Sequence, residues 1–154
     1  MAGKKVCFAA SSGGHLEQIM MLRPLMEKYD GFILTEKTEY EIGKSQENTY
    51  CLMQVNRKEK LFWAKLLVNA ILSFTIYLRE KPDVVITTGV LAVVPLCLIA
   101  KVFKKKLIYI ESFAKISSPT KTGQMLYKLA DQFYVQWESM LEFYPNAIYL
   151  GGIY

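Results

Sequence analysis

The 154-residue sequence predicts an α/β domain in which a parallel, Rossmann-like sheet carries helices on both faces. Short apolar runs of strand length alternate along the chain with longer segments whose apolar residues recur at helical spacing. Such alternation is typical of a parallel sheet that is covered on both sides. The hydrophobic fraction of 52% and the charged fraction of 21% are those of a globular protein with a buried core. We therefore expect one Rossmann-like domain over residues 1–154.

The first half of the chain supplies three predicted strands and two predicted helices. The long second helix ends before Pro82, because the residue before a proline disfavours the helical region. In order, the elements are a strand at 6–10, a helix at 15–29, strands at 32–35 and 50–55 separated by a polar loop at 36–48, and a helix at 61–80.

The second half continues the alternation. Pro95 falls early enough in its helix to be tolerated in the first turn. The elements are a strand at 84–87, a helix at 91–103, a strand at 107–110, a loop at 111–120, a helix at 121–130, a strand at 133–136, a short helix at 138–143 and a strand at 147–150. Right-handed crossovers place the strand-to-helix loops along one edge of such a sheet, where open α/β sheets bind ligands.

Charge and cysteine content restrict the partner and the compartment. The net charge of +5 favours an anionic partner, which is nucleic acid, a phosphorylated substrate or an acidic lipid surface. The sequence has no basic-aromatic motif of a nucleic-acid-binding module, which makes nucleic acid the weakest of the three. Three cysteines without metal-ligand spacing indicate reduced thiols in a cytosolic protein. The sequence also shows no signal peptide.

The loop after the first predicted strand, Ser11 to His15, is the most informative stretch. Its glycines allow a ligand to approach the backbone closely, and the start of the following helix offers unpaired N–H groups to an anion. This pattern favours a loop that faces a phosphate or a sugar, and an ordinary glycine turn with a capping serine is the alternative. His15 is the single histidine of the sequence. Its ordinary pKa lies near neutrality, so it is a candidate general base on a hydroxyl.

The sequence lacks the usual motifs for binding a nucleotide or a metal. The glycines after the first strand do not have the spacing G-x-G-x-x-G, and Gly43-Lys44-Ser45 lacks the earlier glycine of a P-loop. A dinucleotide cofactor is therefore not expected. No His, Asp and Glu cluster has the spacing of metal ligands, so we expect neither a metal nor another cofactor.

Two further loops follow predicted strands. The first is Thr87-Thr88-Gly89-Val90, and the second begins at Glu111-Ser112. An acid at the carboxyl end of a strand normally faces the ligand edge of the sheet. Glu111 could equally cap its own loop or pair with Lys115, and the sequence leaves these alternatives open.

In this order, the three loops SSGGHLEQ, TTGV and YIESFAK resemble the acceptor-side family of two-part glycosyltransferases. One branch of that family is the membrane-anchor subunit of the dolichol-linked N-acetylglucosaminyltransferase. The other is the bacterial capsular and exopolysaccharide group, which accompanies a small galactosyl- or glucosyltransferase. Both are similar to the N-terminal half of the peptidoglycan lipid-linked glycosyltransferase of the GT-B fold. The resemblance covers essentially the whole chain.

The resemblance implies a GT-B N-terminal-type domain that works in capsular or exopolysaccharide repeat-unit assembly. It implies that the chain binds a polyprenyl-diphosphate-linked sugar at the membrane and activates a separate catalytic subunit that carries the UDP-sugar site. Such a chain is half of a glycosyltransferase and is not expected to be active alone. The role of catalytic base falls on His15. The residues implied to bind the acceptor are Ser12, Gly13, Gly14, Glu17, Gly89, Glu111 and Ser112.

The eukaryotic branch commonly carries an N-terminal membrane helix, whereas this sequence starts at its first strand, so we expect another segment to attach it. The apolar run 61–78 is interrupted by Lys65, Asn69 and Ser73, which argues against a membrane-spanning helix of about 20 apolar residues. Tryptophan and lysine near its start suit the headgroup region. The residues expected at the membrane are Leu61, Phe62, Trp63, Leu66, Leu67 and Phe74.

The alternative for both apolar helices is that they cover the sheet and bury their apolar stripes, and we favour it for residues 91–103. The expected location is the cytoplasmic face of the cell membrane, as a peripheral protein. Two other functions stay open. A stand-alone flavodoxin-like enzyme is disfavoured by the missing phosphate fingerprint, and a non-catalytic membrane scaffold would tolerate the loss of His15 and Glu111.

Overall fold

The computed structural model describes residues 3–37 and 48–154. Over these residues strands and helices alternate as predicted. The strands are β1 (Val6–Ala9), β2 (Gly31–Glu36), β3 (Thr49–Leu52), β4 (Val84–Thr87), β5 (Lys106–Ile110), β6 (Gln132–Val135) and β7 (Ile148–Tyr149). The helices are α1 (Gly14–Met20), α2 (Arg23–Lys28), α3 (Phe62–Glu80), α4 (Val94–Val102) and α5 (Lys121–Leu126), with 3-10 helices at Leu91–Val93 and Glu138–Glu142.

The described strands form one parallel sheet in the order β3-β2-β1-β4-β5-β6-β7. The order reverses direction between β1 and β4, where Val6 pairs with Val84 and Ala9 with Thr87. In open α/β sheets this reversal leaves a crevice at the carboxyl ends of the two strands. The predicted α/β class with a parallel, Rossmann-like sheet is confirmed.

The sheet separates two apolar clusters, because successive side chains of a strand point to opposite faces. In β1, Cys7 and Ala9 join the cluster beneath α3, α4 and α5, whereas Val6 and Phe8 join the cluster beneath α1 and α2. The first cluster is the larger and includes fully buried Tyr109. Burial on both faces explains why the central strands read as unbroken apolar runs.

The helix predicted over 15–29 is wrong as a single element, because α1 and α2 are separate helices. Pro24 is the reason. It has no N–H to donate to the carbonyl of Met20 four residues earlier, so it is placed in the first turn of a new helix.

Other differences concern the ends of elements. The helix predicted over 121–130 ends at Leu126, where Leu129 N bonds Leu126 O in a tighter turn. The third strand ends at Leu52, three residues before its predicted limit, and the helix predicted over 91–103 opens with a 3-10 turn before Pro95. The short helix predicted over 138–143 is a 3-10 helix. Residues 38–47 of the predicted loop 36–48 lie outside the described part of the chain, and Glu36 ends β2.

Helix α3 is fixed to the sheet by polar contacts as well as apolar ones. The side chain of buried Asn69 accepts from Met53 N at 2.9 Å and donates to Met53 O at 2.8 Å. The helix ends in a left-handed residue, Lys81, directly before Pro82, as predicted. By length and composition alone, α3 is long and apolar enough to cross a membrane. In the fold it packs against α4 and β3.

Candidate functional site

The three loops predicted to carry function follow β1, β4 and β5 at the carboxyl edge of the sheet. The first two flank the point where the strand order reverses. Direct contacts join them, since the Thr88 hydroxyl donates to the carbonyl of His15 at 3.1 Å. The first and third loops are joined by Phe113 N, which donates to the side-chain oxygen of Gln18 at 3.3 Å. The three predicted loops are therefore neighbours in the structure, in contact with one another at one edge of the sheet.

The first loop is open to solvent at its tip. Gly13 has φ 76° and ψ −143°, a conformation that side chains other than glycine rarely adopt, and its carbonyl accepts from Leu16 N at 2.9 Å to start α1. Gly13 and Gly14 are exposed, and a Cβ added to either would have no heavy atom within 4 Å. Ser12 is half-buried and Glu17 is exposed. Space for a ligand therefore lies directly above these glycines.

His15 lies half-buried between this open tip and the second loop. Its Nδ1 is buried and has no hydrogen-bond partner within the described residues. Burial lowers the pKa of His15 below its ordinary 6.5, an effect opposed by the negative charge of Glu111 and by a hydrogen bond to the Thr88 backbone. The imidazole is therefore neutral at pH 7, the state in which a ring nitrogen accepts a proton.

The second loop is built around Gly89, which is buried and has φ 89°. Its N–H donates to Thr87 Oγ1 at 3.0 Å. A Cβ here would lie 2.5 Å from the Tyr109 hydroxyl oxygen and 3.2 Å from Cζ of that ring. Gly89 thus allows the loop to turn tightly over Tyr109 on the neighbouring strand.

The third loop encloses the carboxylate of Glu111, which is 0% exposed. Oε1 accepts from Ser112 N at 2.9 Å and from the Thr120 hydroxyl at 2.9 Å. Oε2 accepts from Thr120 N at 3.2 Å and from the Tyr144 hydroxyl at 2.8 Å. Charge-assisted bonds of this kind are among the stronger ones in proteins. Ser112 is also buried, so this loop presents little polar surface of its own.

Tyr144 is held in the donor state by its surroundings. Burial, the nearby charge of Glu111 and the hydrogen bond to it raise the pKa of Tyr144 well above its ordinary value near 10. The phenol therefore stays protonated and donates to the carboxylate. Burial, followed by the charge of Glu111, likewise raises the pKa of Tyr109.

A pair of buried glutamines connects the loops. Gln136 Nε2 donates to Gln18 Oε1 at 3.1 Å and to the Glu111 carbonyl at 2.8 Å, and Gln136 Oε1 accepts from Ile153 N at 2.9 Å. Since both glutamines are at least nine-tenths buried, these bonds have little competition from water. They fix α1, the third loop and the C-terminal residues relative to one another.

Four residues of this arrangement were missed by sequence reasoning. Gln18 stood within the quoted glycine-loop motif, and its position on the buried side of α1 was the available signal. Thr120 precedes a predicted helix, as a capping residue does, and its hydroxyl accepts from Gly123 N at 2.8 Å. Gln136 and Tyr144 carried no signal in the sequence.

The residues predicted at the membrane divide into two sets along α3. Trp63 is 75% exposed and Leu67 64%, and Leu61 and Phe74 are exposed as well. Phe62 and Leu66 are half-buried and turn toward α4. Further exposed apolar residues extend the surface along α3 and onto the end of α4: Val68, Ile71, Leu72, Leu78, Leu98, Val102 and Phe103. Most of α4 is buried, as favoured for residues 91–103.

Within residues 3–37 and 48–154, no group of three or more His, Cys, Asp or Glu side chains could hold a metal ion. The described edge of the sheet brings together three features: the open first loop, neutral His15 and the enclosed carboxylate of Glu111.

The chain is similar to the UDP-N-acetylglucosamine transferase subunit ALG14 of Homo sapiens, with 27% identity over 179 aligned residues that cover 96% of this chain and 82% of that protein. Two solved structures share the fold. They are MurG of Acinetobacter baumannii, with a TM-score of 0.73 and 18% identity, and the UDP-GlcNAc 2-epimerase of Methanocaldococcus jannaschii, with a TM-score of 0.70 and 14% identity.

These structural matches cover 89% and 90% of this chain but 43% and 41% of those chains, so this chain spans about two-fifths of their length. They confirm the predicted Rossmann-like fold of GT-B N-terminal type. The family model described as "Oligosaccharide biosynthesis protein Alg14 like" matches residues 29–153. The chain therefore belongs to the Alg14-like family of oligosaccharide biosynthesis proteins.

Proposed function

We propose that this chain is the acceptor-side subunit of a two-component glycosyltransferase in capsular or exopolysaccharide repeat-unit assembly. It binds a polyprenyl-diphosphate-linked sugar at the cytoplasmic face of the membrane and activates a separate subunit that carries the UDP-sugar site. The observation that carries this proposal is the open glycine loop beside neutral His15, at the carboxyl edge of the sheet. The curated relative named as a transferase subunit supports the division of labour.

In the proposed reaction, His15 is the general base. Its neutral ring accepts the proton of the acceptor hydroxyl while that oxygen attacks C1 of the donor sugar. The bond between C1 and the UDP oxygen breaks, and UDP leaves with the electron pair. The lowered pKa of His15 supports this role, since it favours an uncharged ring that can accept a proton.

Acceptor contacts are proposed for the residues around that base. Ser12, Gly13 and Gly14 form the open first loop, Glu17 follows in the first turn of α1, and Gly89 turns the second loop. Ser112 and Glu111 lie buried in the neighbouring third loop. Because the Glu111 carboxylate is enclosed by its own loop, we assign it the role of a positioning residue that shapes the third loop and acts on His15 through its charge.

Membrane attachment is proposed for the outer surface of α3. Trp63, Leu67 and Ile71 expose apolar surface along the helix. Lys58 and Lys60 are exposed just before it, and Lys81 and Lys104 lie beyond the far ends of α3 and α4. A helix that lies flat on a bilayer presents this combination of apolar side chains with flanking lysines, each of which contributes about 1 kcal/mol near anionic lipid.

The face of the sheet that lies beneath α1 and α2 supplies a surface for the catalytic partner. Among the described residues, the helices on this face are the short α1 and α2, and they leave an apolar groove of about 280 Å³ between Leu22, Ile108, Tyr134 and Ile153. Leu150 is exposed beside this groove. We propose that the partner subunit covers this face, because an exposed apolar groove on a subunit is typical of a protein interface.

The test is sugar transfer from a UDP-hexose to a lipid-linked acceptor in membranes, with this chain alone, the partner alone and the two together. A rate that rises strongly only with both supports the proposal. Full activity from this chain alone would contradict the division into two components, and an unchanged partner rate would contradict activation.

The docking surface has its own variant in the same assay. Leu150→Ser is expected to weaken activation, because it removes exposed apolar surface at the proposed interface. Met53→Ser is the matched control, since Met53 is also exposed but lies after β3, outside the groove. Equal activation by both variants would place the partner elsewhere.

A further inference from the structure

A second apolar groove, of about 740 Å³, lies between α3 and the segment that follows β4. This α3–α4 groove has a size within the usual range for small-molecule sites, which are mostly apolar with a few polar groups. Arg57 is the single charged residue among the described residues that line it. The residues used below are Phe62, Leu66 and Ala70 on α3, and Leu91, Pro95 and Leu98 on the other side.

The groove begins at the functional edge of the sheet. Arg57 follows the carboxyl end of β3, and Leu91 stands two residues after Gly89 of the second loop. From there the groove extends along α3 to Ala70, eight residues beyond Phe62, which is roughly 12 Å at 1.5 Å per residue. One end therefore opens beside the proposed acceptor site, and the other leads away along the helix.

The lining indicates an occupant with a long apolar body and an anionic head. Apolar walls favour hydrocarbon, and Arg57 at the functional edge favours a phosphate. An extended peptide fits less well, since its backbone polar groups would be buried against apolar walls without partners. A flat bilayer surface reaches exposed Ile71 and also Trp63 at the rim of the groove, whereas Leu66 and Ala70 are half-buried within it.

We infer that the α3–α4 groove holds the first part of the acceptor's polyprenyl chain, with the diphosphate beside Arg57 and the sugar at the first two loops. This inference rests on the proposed function and deepens it. The outer surface of α3 contacts the bilayer, and the groove draws a single lipid chain out of it. The groove thereby determines where along the edge the sugar hydroxyl lies.

The experiment uses the full chain and a C20 polyprenyl monophosphate at concentrations below micelle formation. Trp63 lines the groove, so the part of the fluorescence change that is lost in Trp63→Phe, and therefore does not come from Trp137, reports occupancy. A saturable change is expected, and inorganic diphosphate alone should cause none. Ala70→Leu fills the groove and is expected to weaken binding at least tenfold. Ala64→Leu is the matched control, because Ala64 is exposed on the same helix and does not line the groove.

A second pair of variants keeps the test valid if Ala70→Leu fails to fold. Leu98→Gln places a polar group in the groove, and Leu98 is 45% exposed, so the fold tolerates the change. Leu78→Gln is its control, since Leu78 is 49% exposed on α3 and lies outside the lining. Leu98→Gln should weaken binding of the probe, and Leu78→Gln should not.

Arg57→Gln should weaken binding of the C20 monophosphate about fivefold and leave binding of the C20 alcohol unchanged, because only the phosphate needs the cation. Equal losses for both probes would contradict the placement of the head at Arg57.

Flotation with vesicles of anionic phospholipid separates the groove from the membrane surface. Ala70→Leu should float like the unmodified chain while losing the C20 probe. Parallel loss of flotation and probe binding would show plain bilayer contact and overturn the inference. Equal probe binding by Ala70→Leu and Ala64→Leu would also overturn the inference. So would a change in Trp63 fluorescence that is caused by a protein helix or by a second copy of the chain, when the C20 probe causes none.

The outcome also separates the groove from the proposed function. Probe binding without transfer in the reconstituted system would leave the groove correct and the function wrong. Transfer that is equal for short and long lipid chains, without probe binding, would leave the function correct and the groove wrong.

Discussion

The first and third loops of the functional edge differ in how they use their polar atoms. At the first loop, Gly13 and Gly14 are exposed and have open space above them. At the third loop, the Glu111 carboxylate is fully buried and receives hydrogen bonds from Ser112, Thr120 and Tyr144. The first loop is open to a ligand, whereas the polar atoms of the third loop bond to one another.

Position at the carboxyl edge does not by itself make a residue a ligand contact. Glu111 follows its strand just as the glycine loop follows β1, yet its carboxylate is closed off. Its influence reaches the open loop in two ways. Its charge opposes the lowering of the pKa of His15, and its carbonyl accepts from Gln136, which also bonds Gln18 of α1.

The largest expected effect concerns the open loop. His15→Gln should lower transfer about 10³-fold, within the range for loss of a general base, and change the free energy of unfolding by less than about 1 kcal/mol. Single-turnover transfer rates and urea unfolding of the same variant measure the two quantities. If the free energy of unfolding falls by clearly more than about 1 kcal/mol while transfer is lost, His15 is a structural residue.

The pH dependence sharpens this prediction. Because burial lowers the pKa of His15 below 6.5, the neutral base persists across pH 7 to 8, and transfer should be flat there. As the pH falls below 6.5, the ring is protonated and the rate should decline. The decline should vanish in His15→Gln. An acid limb that remains in this variant would assign the titration to another group.

The next effect concerns the closed loop. Glu111→Gln should reduce the free energy of unfolding by about 3 kcal/mol, because an amide places donors against the donors of Thr120 and Tyr144. Urea unfolding measures this loss. Glu142→Gln is the control, and its effect should stay within about 0.5 kcal/mol because Glu142 is exposed. A loss equal to the control would show the carboxylate network to be marginal.

A smaller loss is expected at Gly123 of α5, which lies directly over that carboxylate. A Cβ there would meet Glu111 Oε2, lie 2.6 Å from the Tyr144 hydroxyl and 2.8 Å from Thr120 Oγ1. Gly123→Ala should therefore lower the free energy of unfolding by about 2 kcal/mol through overpacking. Thermal unfolding would show this loss as a lower Tm than that of the unmodified chain. Unchanged stability would mean that the network relaxes freely around a methyl group.

The smallest effect on stability is expected at Gly14, the counterpart of Gly123 in the open loop. Gly14→Ala should raise the free energy of unfolding by up to about 1 kcal/mol, because alanine is the better helix former and nothing opposes its Cβ. Transfer should nevertheless fall about tenfold, since the methyl group occupies the space of the acceptor. Unchanged transfer would move the acceptor away from this loop.

The sequence predicted the open loop better than the closed one, for physical reasons. Glycines after a strand have a local meaning, so Gly13 and Gly14 could be recognised without the fold. The Glu111 network joins residues 9 and 33 positions apart, and nothing in the local sequence indicated that Tyr144 would return to this carboxylate. The break at Pro24 was readable from the missing N–H, but helical spacing on both sides hid it.

For α3, the composition indicated a wider apolar surface than packing against the sheet requires. The exposure of Trp63 and Leu67 agrees with that indication. What composition did not reveal was the division of α3 between an outer surface and the α3–α4 groove. That division depends on how α3 packs against α4, which is a property of the tertiary fold.

The most direct test of the acceptor-side assignment is equilibrium binding to this chain alone, without the partner. Titration calorimetry in detergent would compare a polyprenyl-diphosphate-linked sugar with a UDP-sugar. The proposal predicts that the lipid-linked sugar binds and that the UDP-sugar does not. Binding of the UDP-sugar without binding of the lipid-linked sugar would contradict it, because the donor site would then lie on this chain.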